Sequence, residues 1–268
     1  MEENNQNEKN NPPMHPSFAN VIRQKARVKA SLAAIKHKIG VYSAKGGVGK
    51  TTIAVNLAYT LRNMGFKVGL LDADIDCPNI TLFLGIEEKM VPEYPLKPLV
   101  KEGVKVASTA MVVDEVKKPI IWRGALITKM LGDFFENTDW GELDYLIIDL
   151  PPGTSDAPLT VMQLLDMDGF IIVTTPQKIA AINSIRSGLM AKRLNIAVLG
   201  VVENMSGKEA SAASLLAAKE LQTEMLGLVE RNEKFAQLSD SGRIPIFEDG
   251  QIAAEFKAIA ENIQANYQ

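Results

Sequence analysis

A single cysteine, Cys77, is the only thiol in 268 residues, so no disulfide framework can form within the chain. The two histidines, His15 and His37, are isolated and read as incidental rather than as metal ligands. No apolar run approaches the roughly 20 residues of a membrane-spanning helix. The polar N-terminus lacks the pattern of a secretory signal, so the expected compartment is the cytoplasm and no membrane partner is expected. Charge is equally muted, with 29 Lys+Arg against 32 Asp+Glu and a net charge of −3. That balance gives no overall drive toward nucleic acid, and the basic residues clustered within 23–38 are too few for a DNA-partitioning reading. What is present is 46% hydrophobic and 23% charged, the balance of one large globular domain with a substantial core.

The chain is organised around residues 43–52, Ser-Ala-Lys-Gly-Gly-Val-Gly-Lys-Thr-Thr. An apolar run, Ile39-Gly-Val-Tyr, precedes it, and the helix-patterned segment beginning Ile53-Ala-Val-Asn-Leu follows it. Strand, glycine loop and helix are the context that a phosphate-binding loop requires. Gly46, Gly47 and Gly49 let the backbone amides around Val48 turn inward on a triphosphate, and the helix N-terminus adds its partial positive charge. Lys50 then reaches the β- and γ-phosphates of ATP, and the Thr51 hydroxyl ligates Mg²⁺, with Thr52 closing the motif.

Residues 1–17 are Asn- and Glu-rich with little to bury and read as a disordered polar tail. Over 18–36, Val21, Val28, Leu32 and Ile35 form an apolar stripe at helical period, flanked by Arg23, Lys25, Arg27 and Lys29. This predicts an N-terminal amphipathic helix docked on a single domain spanning 37–268. A contact between its basic rim and an acidic partner is the alternative. After the loop helix, Gly65 stands where a C-cap belongs. A strand then runs into Asp72-Ala-Asp-Ile-Asp-Cys-Pro, which puts carboxylates at the crevice of an open parallel sheet. Residues 85–103 read as loop, 104–108 as a short strand, and 121–135 as a helix led by Trp122-Arg-Gly. The run Tyr145-Leu-Ile-Ile-Asp149 reads as a buried strand delivering a carboxylate to Mg²⁺-bound water. The Pro151-Pro152-Gly153 turn after it forms a stiff loop whose Gly153 amide senses the γ-phosphate. Strands are expected at 169–174, 196–202 and 226–229, with helices at 207–224, 232–239 and 252–263. The last is apolar at Ile252, Phe256, Ile259 and Ile263 and reads as core packing. The alternation makes a doubly wound, mostly parallel α/β sheet.

Lys45, heading Lys-Gly-Gly-Val-Gly-Lys-Thr-Thr, resembles the deviant Walker A of ATPases related to MinD, ParA and the nitrogenase iron protein. Asp149-Leu-Pro-Pro-Gly-Thr, Thr174-Thr-Pro-Gln and Glu203-Asn-Met-Ser are similar to the signatures of the Mrp/ApbC family of P-loop ATPases. The resemblance runs from about residue 35 to the C-terminus. It implies a homodimeric ATPase that carries iron–sulfur clusters to apo-protein clients. It also implies that Asp72 and Asp149 support Mg²⁺, that Asp74 orients the attacking water, and that Lys45 acts on the partner copy's nucleotide. Asp76 and Asp156 stand next in line for the water. Asn204 has two readings, adenine recognition by resemblance or a helix-start or turn role.

The family's Cys-x-x-Cys, expected soon after Asn204, is absent. A cluster needs about four thiolates, so none is expected on this chain alone, and Cys77 reads as a small buried thiol. Two functions stay open: an iron–sulfur carrier or assembly ATPase, and an ATP-driven dimerisation switch acting on a protein partner without a cluster.

Overall fold

Uninterrupted apolar runs become the central strands, because a strand covered on both faces has no solvent side to mark with polar residues. The structure is a computed structural model that describes residues 16–91, 93–112 and 124–267. Its strands are β1 (Ile35–Tyr42), β2 (Val68–Asp72), β3 (Leu99–Lys101), β4 (Val104–Ser108), β5 (Leu143–Asp149), β6 (Gly169–Thr174), β7 (Val198–Ser206) and β8 (Met225–Glu230). They form one sheet in the order β3-β4-β2-β5-β1-β6-β7-β8. Every pairing is parallel except β3 with β4. This is the mostly parallel α/β architecture that the alternation predicts.

The helices are α1 (Pro16–Ser31), α2 (Lys50–Asn63), α3 (Ile80–Phe83), α4 (Gly124–Asn137), α5 (Asp156–Leu164), α6 (Lys178–Arg193), α7 (Ala212–Glu220), α8 (Lys234–Asp240), α9 (Pro245–Glu248) and α10 (Gly250–Ala265). Right-handed crossovers decide which face each covers. The step from β1 through α2 to β2 runs one way along the sheet, and the steps through α5, α6 and α7 run the other. So α2 and α10 pack together on one face, while α6 and α7 pack together on the opposite face. Ile252, Phe256, Ile259 and Ile263 of α10 are all buried, as their period predicts. Asp249 caps the helix, accepting from the amides of Gln251 (2.9 Å) and Ile252 (3.1 Å). Gly65, at φ 96°, follows the end of α2 in the left-handed conformation that a Cβ would strain.

The N-terminal segment departs from its predicted bounds. Residues 1–15 lie outside the described set, as do His15 and the Trp122-Arg123 pair. Pro16 and Ser17, read as tail, already belong to α1, which ends at Ser31. Ile35 opens β1 instead of closing the helix. The period misleads here because Ile35, the first core residue of the strand, falls where the helical stripe would place its next apolar side chain. The docking itself is as expected. α1 packs on α4 and α5, Val28 is buried, and Arg27 and Lys29 pair with Glu136 and Asp166 at 2.7 Å each. His37 stacks between the rings of Tyr145 and Tyr267, with centroids 5.1 and 4.1 Å away.

Three further elements differ. β3 sits inside the region read as loop, joined to β4 by Glu102 and Gly103 at φ 45° and 79°. Both central residues are left-handed, the geometry of a two-residue hairpin. β7 runs four residues beyond the expected end at 202, and α7 starts at Ala212 rather than near 207. The intervening segment is bound to the end of β7 instead of coiling into helix.

Candidate functional site

β1 ends at Tyr42 and α2 begins at Lys50, so residues 43–49 span the carboxyl edge of the sheet between its central strand and a helix N-terminus. Gly47 and Gly49 take φ 79° and 87°, conformations that only glycine adopts without strain. At Gly49 there is a second constraint, since a Cβ there would lie 2.1 Å from Nδ2 of Asn204. Lys45, Gly46 and Gly47 form an exposed lip, whereas Val48 and Lys50 are buried. The Ser43 hydroxyl donates to the Lys45 carbonyl at 2.7 Å and braces the turn.

Strand register brings the carboxylates to this loop. β2 and β5 are neighbours and pair Asp72 with Asp149, so two strand-end aspartates lie side by side. The Thr51 hydroxyl donates to Oδ2 of Asp149 at 2.5 Å. Oδ1 of Asp149 is buried and has no hydrogen-bond partner, an acceptor that calls for a cation or its water. Asp72 is fully buried and accepts from the amides of Ile80 (3.1 Å) and Asp74 (3.2 Å) and from the Ser108 hydroxyl (3.2 Å). Asp74 is buried too, and its Oδ1 accepts from the amides of Asp76 (3.2 Å) and Cys77 (3.1 Å).

The charges are lopsided. Burial pushes the Asp149 carboxyl up to about 6, with the Thr51 hydrogen bond and the Lys50 charge holding it back. Burial also raises Asp72 well above the usual range, and the neighbouring Asp149 adds to the rise. Asp74 rises for the same first reason, partly offset by the Cys77 amide and by Lys50. Burial lowers Lys50, against the pull of Asp149 and Asp74. The Lys50 ammonium offsets only Asp149 and Asp74, while Asp72 lies beside Asp149 with no cation among the described residues acting on it, so the group leaves room for a further positive charge. Among the described residues no three His, Cys, Asp or Glu side chains converge as a ready-made metal cage. This donor set fits Mg²⁺, which keeps several waters and takes the rest of its ligands from phosphate and one or two carboxylates.

The loop after Asp149 is clasped to the phosphate loop. The Tyr42 hydroxyl donates to the Gly153 carbonyl at 2.5 Å, and the Gly153 amide donates to the Ser43 carbonyl at 3.3 Å. The amide expected to sense a γ-phosphate is thus hydrogen-bonded to the loop that would hold it.

Asn204 belongs to neither a turn nor a helix start. It is buried in β7, and its Nδ2 donates to the Val48 carbonyl at 2.8 Å. The turn reading fails because β7 extends past it. Cys77 is exposed, not buried; its loop presents the thiol outward while the Cys77 amide turns in to Asp74. Asp76 and Asp156 are exposed as well, whereas Asp74 sits within the cluster. Sequence reasoning missed Tyr42, Ser108 and Glu203. Glu203 did leave a signal, as a lone carboxylate in the apolar run Val201-Val-Glu-Asn. Ser108 left none, since its role depends on β4 lying beside β2.

The profile of the ParA family, described as "NUBPL iron-transfer P-loop NTPase", matches residues 34–264. A protein of Methanocaldococcus jannaschii named "Iron-sulfur cluster carrier protein" is 42% identical over 258 residues, covering 91% of this chain and 89% of that one. A protein of the same name from Aquifex aeolicus is 37% identical over 248 residues, covering 85% and 67%. Among solved structures, a nucleotide-binding protein from Archaeoglobus fulgidus in complex with ADP aligns with a TM-score of 0.72 at 35% identity, covering 84% of this chain and 94% of that one. The septum site-determining protein MinD of Pyrococcus horikoshii, complexed with Mg-ADP, aligns at 0.66 and 23% identity over 85% and 96% and shares the fold.

Proposed function

The chain belongs to the ParA family of iron-transfer P-loop NTPases, and from that membership we propose that it binds and hydrolyses MgATP in the service of iron–sulfur cluster assembly. The observation that carries the nucleotide reading is the pair of buried residues Lys50 and Asp149 with the half-buried Thr51 bonded to Asp149, one Asp149 oxygen being unpartnered beside the phosphate loop. Amides of residues 46–51 and the Lys50 ammonium hold the phosphates. The Thr51 hydroxyl, with Asp149 and Asp72 acting through water, would hold Mg²⁺, which when bound neutralises charge on the phosphates. Asp74 orients a water whose oxygen attacks the γ-phosphorus. The bond to the β–γ bridging oxygen breaks, ADP and inorganic phosphate leave, and of the two water protons one stays on the phosphate and the other is released to solvent. Lys45, on the exposed lip, serves the nucleotide of a second copy of the chain, as a cation supplied in trans. Asn204 braces the loop through the Val48 carbonyl, and adenine recognition is the further role that the family resemblance implies for it.

The cluster, in this reading, is cargo. It takes about four thiolates, and two copies of this chain bring only their two Cys77 residues. Carriage therefore draws thiolates from the client protein. The same cysteine count supports a second reading, an ATP-driven dimerisation switch that binds and releases a protein partner without a cluster.

Anaerobic reconstitution with iron and sulfide separates the two readings. The chain alone is expected to retain no stoichiometric iron after desalting. With an apo-ferredoxin and ATP present, iron and sulfide co-migrating with both proteins would support carriage, and their absence would favour the switch. Cluster retained by the chain alone and lost in Cys77→Ser would show that Cys77 with non-cysteine ligands suffices.

A further inference from the structure

Glu203 is fully buried in β7, between Thr174 of β6 and Leu228 of β8, and the nucleotide chemistry gives it no part. A buried carboxylate is costly unless donors surround it. Here the Ser206 hydroxyl donates to Oε1 at 2.6 Å, the Ser211 amide donates to Oε2 at 3.1 Å, and the Ser211 hydroxyl makes a short bond to Oε2. Burial alone would raise this carboxyl, but the Ser206, Ser211 and Ser214 donors together outweigh it and hold it below the usual range. The Ser211 hydroxyl also caps α7, accepting from the Ser214 amide at 3.2 Å.

Two details tie this knot to the phosphate loop. The register of β7 with β8 is irregular between Asn204 and Ser206, and Met205 between them has φ 54°, an unusual conformation for a side chain other than Gly, Asn or Asp. The bonds from Ser206 and Ser211 back to Glu203 close over that bulge and hold it. Successive strand residues face opposite sides of a sheet. Glu203 therefore reaches α7 on one face, while Asn204 reaches Val48, just ahead of α2, on the other.

We propose that Glu203 is a positioning residue for the phosphate-binding loop, fixing the bulge that presses Asn204 against the Val48 carbonyl and so linking the start of α7 to the nucleotide site. The inference rests on the nucleotide reading above and extends it to a residue that touches neither phosphate nor metal.

A double-mutant cycle on the full chain, read by calorimetry with MgADP, tests it. Glu203→Gln and Asn204→Ala are each expected to weaken binding roughly three- to ten-fold, the scale of one buried hydrogen bond. The double variant should bind no more weakly than Asn204→Ala alone, because both changes break the same link. A purely structural carboxylate would lower the melting temperature yet leave the two effects on affinity independent. Unchanged affinity in Glu203→Gln, or additive losses in the double variant, would overturn the proposal. If Glu203→Gln does not fold, Ser211→Ala, which removes one donor to the same carboxylate, takes its place in the cycle. Wild-type protein that fails to bind MgADP would overturn the nucleotide reading as well. Tight wild-type binding with additive losses overturns only this inference.

Discussion

At the scale of single residues, Lys50 and Asp149 set what the site can do. Lys50→Ala removes the ammonium buried beside Asp149 and Asp74, the loop's own side-chain cation for the β- and γ-phosphates. MgATP binding by calorimetry is expected to disappear, and unchanged affinity would remove the phosphate-loop assignment. Asp74→Asn keeps the acceptor for the Asp76 and Cys77 amides, so binding should persist while phosphate release stops. Asp149 adds a pH dependence. Its carboxyl rises from 3.8 to about 6 in the fold, so between those values the folded protein binds more protons than the unfolded chain. The Asp149 contribution therefore favours folding at acid pH and is lost as pH rises through about 6. Thermal unfolding without nucleotide or Mg²⁺, compared between wild type and Asp149→Asn, reads this contribution together with the relief of the neighbouring Asp72, which acts in the same direction. The variant should gain stability relative to wild type from pH 5 to pH 7, and parallel profiles would contradict it.

At the scale of elements, the Pro151–Gly153 loop is held to the end of β1 and to the phosphate loop by two hydrogen bonds, one from the buried Tyr42 hydroxyl and one to the Ser43 carbonyl. Tyr42→Phe removes that donor at a cost of about 1 kcal/mol and should loosen the loop without disturbing the apolar contact with Phe170. Hydrogen exchange is the measurement: the peptide around Gly153 should exchange faster in Tyr42→Phe, while the α2 peptide stays protected. Equal exchange of the Gly153 peptide in both proteins would mean that the clasp contributes nothing. Of the basic rim of α1, Arg27 and Lys29 pair with carboxylates of α4 and of the segment after α5. Such exposed pairs contribute little stability, and Val28 makes the buried apolar contact.

At the scale of the whole molecule, Lys45 lies on the exposed lip while Lys50 is buried in its own chain's site. On the proposed mechanism, this second lysine acts on the nucleotide of another copy. In Asp74→Asn, where ATP is expected to persist, light scattering should show a shift toward dimer on adding MgATP. Adding Lys45→Ala should weaken that shift roughly ten-fold or more, the effect of losing a charge-assisted contact, with affinity for monomeric ATP nearly unchanged. A mass that stays constant with and without nucleotide would remove the dimer from the mechanism.

Residue order by itself determined the phosphate loop, the carboxylate strand ends and the α/β alternation. Each is written in local chemistry, in glycines that free the backbone, apolar runs that must be buried, and an aspartate where a buried run stops. The C-terminal helix was legible for the same reason, through the period of Ile252, Phe256, Ile259 and Ile263. Tertiary structure alone decided what depends on non-neighbours. Asp72 meets Asp149 because β2 and β5 pair in register, although β2 precedes β5 by a long stretch of chain. Ser108 reaches Asp72 only because β4 lies beside β2. The β3 hairpin turns on Glu102-Gly103, which carries less of a turn signal than Asn-Gly or Asp-Gly. Cys77 faces outward because Asp74 draws its amide inward, and Glu203 is tolerated in the core because three serines converge on it. Burial follows from local pattern, but partnership across strands is set by register, and register is a property of the assembled sheet.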